Sequence, residues 1–207
     1  MRPVKLPLMQ MVVLFGLCGI SLAQWQTLGS VTRVTPLPNG MELQAGQARV
    51  RFTALSSSVV RVRYAPHGSF PPEHSFAVLQ QTGFSIPTVR VDIGADAAEF
   101  STREVRVRVL KSPMRVVFLD PAGEIVFQEH PHHEVAWNGN EFRVSESMPG
   151  DEHYFGLGEK AGPLDRRNQA FTMWNTDAYG WQESTDPLYK DIPFFIGFRR
   201  GILTGCS

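Results

Sequence analysis

The stretch Met114–Gln128 reads MRVVFLDPAGEIVFQ, and it decides the fold class of this chain. Two runs rich in valine, isoleucine and phenylalanine flank the sequence DPAG at 120–123, which has Asp, Pro and Gly at the positions that a type I turn prefers. Such runs on both sides of a turn are typical of a β-hairpin. The stretch therefore predicts two antiparallel strands.

The chain around this hairpin alternates between apolar and charged residues, as in RVRF at 49–52, VRVRY at 60–64, VRVDI at 89–93 and VRVRV at 105–109. A period of two places the apolar residues on one face and the charges on the other, as in a strand with one solvated side. Turn sequences separate these runs at 38–40, 66–68 and 138–140. Many short strands at this spacing indicate an all-β sandwich or barrel.

The charge balance excludes one class of partner. The chain has 207 residues, with 20 Lys and Arg against 20 Asp and Glu, so its formal net charge is zero. A chain without a basic excess lacks the electrostatic signature of a nucleic-acid-binding protein. We interpret the arginines between the valines as a solvated outer face rather than as a phosphate-binding stripe.

The N-terminus has the organisation of a secretory signal. Residues 1–5 carry two positive charges, residues 6–20 are mostly apolar, and Ser21-Leu22-Ala23 supplies small residues at a cleavage site. The alternative is a membrane anchor, but the apolar run is short for a bilayer span. We predict cleavage after Ala23, no stable membrane association afterwards, and a secreted or periplasmic product. The mature chain would keep one cysteine, Cys206, and therefore no internal disulfide.

Two potential reactive groups have simpler explanations. The histidines at 130, 132, 133 and 153 could be read as a metal cluster, but the first three surround Pro131 between predicted strands and lack metal-ligand helix spacing. We therefore predict an exposed turn, and no metal or other cofactor. Cys206 has no obvious base partner, so the sequence does not support it as a nucleophile.

The segment from Tyr154 to Tyr189 differs from the rest of the chain. It begins with FGLGEK at 155–160, where two glycines around Leu157 predict a tight bend, and continues with WNTDAYGW at 174–181. Aromatic faces mixed with carboxylates suit a sugar, which offers C–H patches to rings and hydroxyls to acceptors. Alternatively, these rings pack on the sandwich, and composition alone leaves both readings open.

Three ordered blocks, FGLGEKAGPLDRR at 155–167, FTMWNTDAYGW at 171–181 and STDPLYKDIPFFIG at 184–197, resemble glycoside hydrolase family 31, the α-glucosidase and α-xylosidase family. Weaker similarity runs from Gly29 to Ser147. The resemblance implies that residues 24–207 form an antiparallel β-sandwich of the galactose-mutarotase type. It also implies that the substrate loop, residues 154–193, reaches over a (β/α)8 barrel. The family aspartate that matches Asp177 hydrogen-bonds the sugar, so we assign Asp177, Trp174 and Tyr179 as substrate-binding candidates for an α-linked oligosaccharide or glucoside.

The resemblance also implies where catalysis occurs. Retaining glycosidases need two carboxyl groups beside the bond, and in this family both lie on the barrel, the nucleophile in a Trp-x-Asp-Met-Asn type of block. No such block occurs in this chain. We therefore assign no catalytic residue, and expect the chain to be inactive alone unless it pairs with a separately encoded barrel.

The final residues, 202–207, read ILTGCS and depart from the family pattern, which continues with a strand similar to Tyr-Gly-Leu-Phe-Leu. Leu-Thr-Gly-Cys-Ser-stop can be written with the codons CTT ACG GGC TGT TCC TGA. The same bases, read with a shift of two, encode Tyr-Gly-Leu-Phe-Leu. The hypothesis is that a frameshift produced an N-terminal fragment whose sandwich lacks its last strands and is marginally stable. The alternative is a natural short protein with an unusual tail.

Two other functions compete with the glycosidase-fragment interpretation. One is a secreted carbohydrate-binding module that acts alone and should bind sugar well without a partner. The other is a mutarotase-like epimerase, which needs a histidine acid and a carboxylate base in one cleft; His153 and Glu159 are the candidates. Fold similarity is the sole support for the epimerase.

Overall fold

The computed structural model describes residues 24–72 and 87–207, which form antiparallel strands and no helix. The predicted signal segment, residues 1–23, lies outside these ranges. The strands are β1 (Gln26–Thr27), β2 (Arg33–Leu37), β3 (Gly40–Ala45), β4 (Ala48–Ala54), β5 (Val60–Ala65), β6 (Arg90–Ile93), β7 (Ala97–Ser101), β8 (Arg106–Lys111), β9 (Met114–Leu119), β10 (Ile125–Gln128), β11 (Ala136–Asn138), β12 (Glu141–Arg143), β13 (His153–Gly158), β14 (Asp191–Arg199) and β15 (Ile202–Cys206).

Two of the sheets pack face to face and enclose the core. One has the strand order β2-β3-β4-β5, and the other has the order β10-β9-β8-β7-β6. Between them, the ring of Phe52 on β4 lies 6.5 Å from the ring of Phe100 on β7, measured between centroids. Complete burial of one such apolar side chain contributes about 1.5–3 kcal/mol, and both sheets contribute buried side chains to this core. The predicted all-β sandwich is confirmed.

The alternation in the sequence corresponds to the two faces of these sheets. Val107 and Val109 on β8 are fully buried, whereas the intervening Arg108 is exposed. Ile93 is the exception: it continues the pattern at 89–93, yet it is about half exposed, because it ends β6 at the edge of the sheet. The alternation therefore predicts the faces better in central strands than at an edge.

Several of the outward arginines form ion pairs with acids on neighbouring strands. Glu42 on β3 forms ion pairs with Arg49 and Arg51 on β4. On the opposite sheet, Arg108 donates to Glu99 over 2.9 Å. This pairing supports the interpretation of the arginines as an outer face.

The hairpin predicted at 114–128 is present as β9 and β10, which pair antiparallel. The amide of Gly123 donates to the carbonyl of Asp120 over 3.1 Å, and the amide of Glu124 donates to the Asp120 carboxylate over 2.8 Å. Asp120 and Gly123 therefore form the hydrogen bonds of the turn at the positions that the sequence predicted.

A third sheet, with the order β13-β14-β15, carries the ends of the substrate loop. Residues 202–206, which depart from the family pattern, form β15 and pair with β14 from Ile202 opposite Arg199 to Cys206 opposite Phe195. Arg199 also donates to the carbonyl of Ile125 on β10 over 2.8 Å, which ties this sheet to the sandwich. In the described ranges, no helix has the length and apolar character required to cross a bilayer.

Candidate functional site

The substrate loop begins at a backbone bend that needs glycine. Gly156, Leu157 and Gly158 all have positive φ, at 112°, 67° and 79°, and the pairing of β13 with β14 shifts register here. A Cβ on Gly158 would lie far inside van der Waals distance of the Lys190 carbonyl. The predicted tight bend is confirmed, and it turns the chain out of the sheet.

After this bend, residues 159–190 form neither strand nor helix. A buried cation holds their two ends together: the ammonium of Lys160 donates to Asp186 Oδ1 over 2.7 Å and forms an ion pair with Asp191 Oδ1. It also donates to the carbonyl of Thr172 over 2.8 Å. We call Lys160, Asp186 and Asp191 the loop clamp, because they join the beginning of the loop to its end.

The charges of the clamp compensate one another. Burial disfavours the charged forms of Lys160 and Asp186, but their mutual hydrogen bond and attraction outweigh this effect. The pKa of Lys160 is therefore raised and the pKa of Asp186 is lowered. Both groups remain charged at neutral pH, as a buried ion pair must to avoid an uncompensated charge.

The second oxygens of the two carboxylates hold the backbone of the loop. The amide of Thr172 donates to Asp186 Oδ2 over 2.5 Å, and the amide of Trp174 donates to Asp191 Oδ2 over 2.7 Å. In return, the amide of Asp191 donates to Asn175 Oδ1 over 2.6 Å. This part of the loop is therefore held at Thr172, Trp174 and Asn175, shortly before Asp177.

The three sequence-predicted binding residues lie on the outer side of this stretch. Trp174 is 70% exposed and Tyr179 is 99% exposed, and Asp177 is also exposed. Within the described residues, Asp177 makes no hydrogen bond or ion pair, so both of its carboxylate oxygens are free to accept. Trp181 adds a fourth exposed group, at 55%. The alternative interpretation required these rings to pack on the sandwich, and their exposure shows that they do not.

The residues proposed for an epimerase are not brought together. His153 and Glu159 lie at opposite ends of β13, and six residues of strand span about 20 Å. His153 Nδ1 instead lies 2.7 Å from Asp165 Oδ2. This hydrogen bond, with those from the amides of Tyr154 and Arg167, lowers the pKa of Asp165 to about 2. His153 therefore contacts a loop carboxylate and not the candidate base.

A cleft of about 430 Å³ lies between β10 and the third sheet, and its lining does not include Trp174, Asp177 or Tyr179. Its walls include Phe127, Tyr154 and Phe195, and Glu146 lies among them. Burial, followed by the nearby charge of Glu129, raises the pKa of Glu146 to about 7. Sequence reasoning missed this acid, because Glu146 meets Glu129 through an isolated antiparallel bridge between distant segments.

The surroundings of the histidines and of the cysteine fit structural rather than reactive roles. His130 and His133 contact each other, with ring centroids 4.5 Å apart, in the predicted turn after β10. No group of three potential metal ligands occurs in residues 24–72 and 87–207. Burial, together with the charge of Glu146, raises the pKa of the Cys206 thiol to about 11. A thiol with this pKa is a weak nucleophile at neutral pH.

Comparison with known proteins supplies relatives for this arrangement. Residues 49–206 match the model of the glycosyl hydrolase 31 N-terminal galactose mutarotase-like domain. Alpha-glucosidase 2 of Bacillus thermoamyloliquefaciens is 30% identical over an alignment of 165 residues, and the match covers 77% of this chain and 20% of that enzyme. An alpha-glucosidase of Saccharolobus solfataricus is 42% identical over 71 residues, which are 34% of this chain and 10% of that enzyme.

Solved structures agree with these sequence relatives. A GH31 dextranase of Flavobacterium johnsoniae, determined in complexes with isomaltotriose and with glucose, is 31% identical with a TM-score of 0.77, over 83% of this chain and 21% of the dextranase. A cycloalternan-forming enzyme of Listeria monocytogenes, at 18% identity and a TM-score of 0.69 over 84% of this chain and 17% of that enzyme, shares the fold. This chain thus spans about a fifth of the length of most of these proteins. The chain belongs to glycoside hydrolase family 31 and contains the N-terminal galactose mutarotase-like domain of that family.

Proposed function

We propose that this domain supplies one wall of an α-glucoside-binding cleft in an exported α-glycosidase, with Asp177 as the acceptor for sugar hydroxyls. The observation that carries the proposal is the loop at 172–181. It presents Trp174, Asp177 and Tyr179 to solvent on a backbone held by the loop clamp. A free carboxylate beside exposed rings offers the two kinds of contact that a pyranose makes.

The degree of exposure favours a wall over a complete pocket. Sites that bind small molecules well enclose most of the ligand surface. Tyr179, at 99% exposure, is not enclosed by any described part of this chain. This observation supports a wall that needs another surface, rather than a carbohydrate-binding module that acts alone.

Relatives favour an α-linked glucose oligomer as the ligand. The dextranase at 31% identity was solved with isomaltotriose, and two of the sequence relatives are alpha-glucosidases. An alpha-xylosidase of Lactiplantibacillus pentosus is more distant, at 25% identity. We therefore propose glucosides ahead of xylosides.

Hydrolysis itself would use acids from outside the described residues of this domain. A retaining mechanism places two carboxyl groups about 5–5.5 Å apart on either side of the bond. In the loop, the carboxylates of Asp186 and Asp191 are occupied by Lys160, so they are not free to act as nucleophile or acid. The role proposed for the loop is to bind and orient the sugar, with Asp177 as an acceptor.

Calorimetric titration with isomaltotriose, glucose and xylose tests the proposal. We expect weak binding of isomaltotriose, in the millimolar range or above because one wall buries little of the ligand. Asp177→Asn should weaken it at least about tenfold, as expected for a charged acceptor. Asp92→Asn, an exposed aspartate on β6, is the matched control and should change nothing. Equal affinity of the Asp177→Asn variant and the unchanged chain would contradict the proposal.

A further inference from the structure

The substrate loop must be kept in one conformation although most of it contains no secondary structure. Residues 159–190 have no strand or helix to hold them, and irregular segments of this length in compact domains are usually functional or disordered. Ordering such a segment costs conformational entropy at each residue. A loop that had to become ordered when the sugar arrived would spend part of the binding energy on this step.

The loop clamp holds the loop in one conformation through one buried cation, Lys160. The Lys160 side chain is fully inaccessible to solvent, and the side chain of Asp191 is 3% exposed. Each carboxylate uses one oxygen for the ammonium and the other for a loop amide, that of Thr172 or that of Trp174. The route from Lys160 to the sugar-facing segment therefore consists of two short, charge-assisted links.

The links end next to the binding candidates. The amide held by Asp191 belongs to Trp174 itself, and Asp177 follows three residues later. Further along, the amide of Thr176 donates to the carbonyl of Leu188 over 3.1 Å. The hydroxyl of Tyr189 donates to the carbonyl of Ala178 over 2.7 Å. The backbone on both sides of Asp177 is thus attached to the segment that carries the clamp aspartates.

We propose that Lys160 is a positioning residue, which through Asp186 and Asp191 sets the conformation of the sugar-binding wall before sugar binds. The inference rests on the proposed function for the identity of the ligand, isomaltotriose. Lys160 itself is buried beneath the wall and need not touch the sugar. Its effect on affinity would come entirely from the conformation in which Trp174 and Asp177 are presented.

Amide hydrogen exchange measured by NMR on the full chain tests the order of the loop. We expect Lys160→Met to reduce the protection of the Thr172 and Trp174 amides at least tenfold. The core amides of Val107 and Val109 on β8 should keep their protection. Lys190→Met is the matched control, because Lys190 is exposed and lies beside Asp191 in the chain. Unchanged loop protection, or an equal loss in the core, would overturn the proposal.

A second variant keeps the proposal testable if Lys160→Met does not fold. Asp186→Asn keeps the shape of the side chain, which is 22% exposed, and removes its charge. Because Thr172 is held by Asp186 and Trp174 by Asp191, protection should fall more at Thr172 than at Trp174. A global loss of stability would lower both equally, and that result would refute the positioning role.

Titration of the same variants with isomaltotriose separates this inference from the proposed function. Lys160→Met should weaken binding at least tenfold although both binding side chains remain. If the unchanged chain does not bind isomaltotriose, the proposed function fails, and loop protection still decides whether Lys160 orders the loop. If Lys160→Met loses loop protection yet binds isomaltotriose as before, the positioning role is refuted and the proposed function stands.

Discussion

The stability of this chain should fall as the pH rises from 5 to 8, because of Glu146. This carboxyl group lines the cleft between β10 and the third sheet, beside Glu129 and Cys206. Burial and the Glu129 charge raise its pKa from 4.5 to about 7. Since the folded pKa lies above the unfolded one, the stabilising effect of the proton is complete below pH 4.5 and is lost as the pH passes through 7.

The size of the effect follows from the shift. One pKa unit is equivalent to about 1.4 kcal/mol, so the change from 4.5 to about 7 corresponds to about 3 kcal/mol in total. About 2.5 kcal/mol of this falls between pH 5 and pH 8, because part of the loss has already occurred at pH 5. The raised pKa of Glu129 acts in the same direction, whereas the lowered pKa of His130 acts in the opposite one.

Urea denaturation at pH 5 and pH 8 measures this difference, and Glu146→Gln isolates it from the other groups. The variant should lose most of the pH dependence, whereas Glu141→Gln, at an exposed position on β12, should retain it. The reasoning would be refuted if the unfolding free energy of the unchanged chain is the same or higher at pH 8 than at pH 5, and if Glu146→Gln shows the same pH dependence as the unchanged chain. Equal pH dependence in both variants would also refute it.

Three further predictions concern the core, the bend and the thiol. Phe100→Ala should lower the unfolding free energy by about 3–5 kcal/mol, because it opens a cavity against Phe52; a loss below 1 kcal/mol would show that this contact is not central. Gly158→Ala should lower it by about 2 kcal/mol or more through positive φ and a backbone clash, whereas a neutral result would contradict the bend. Cys206, with its pKa raised from 9 to about 11, should react with an aromatic disulfide at pH 8 about 100-fold more slowly than a free thiol; equal rates would show that the thiol is not buried.

The strands could be predicted because their information is local. Alternation at 105–109 places Val107 and Val109 in the core, and the DPAG turn sets the β9–β10 hairpin. In contrast, Ile93 follows the same alternation but is exposed, since the sequence does not say which strand lies at an edge. Period-two patterns report the faces of a strand and not its neighbours.

The candidate site was predicted in part. The aromatic and polar residues at 174–181 stood out by composition, and the structure exposes them. The loop clamp could not be predicted, because Lys160 meets Asp186 and Asp191 across about thirty residues that have no periodicity. Its sequence signal is a lysine after the glycine bend, an aspartate shortly before β14 and a second aspartate at the first residue of β14. These three residues have a shared meaning only once the loop is closed. Glu146 was missed for the same reason.

The most direct test of the central claim is a map of backbone amide shifts in the full chain during titration with isomaltotriose. The account predicts that the largest shifts fall in residues 172–181 and disappear in the Asp177→Asn variant. Shifts centred instead on the cleft residues Phe127, Tyr154 and Phe195 would contradict it, since the sugar would then bind at the other surface of the domain.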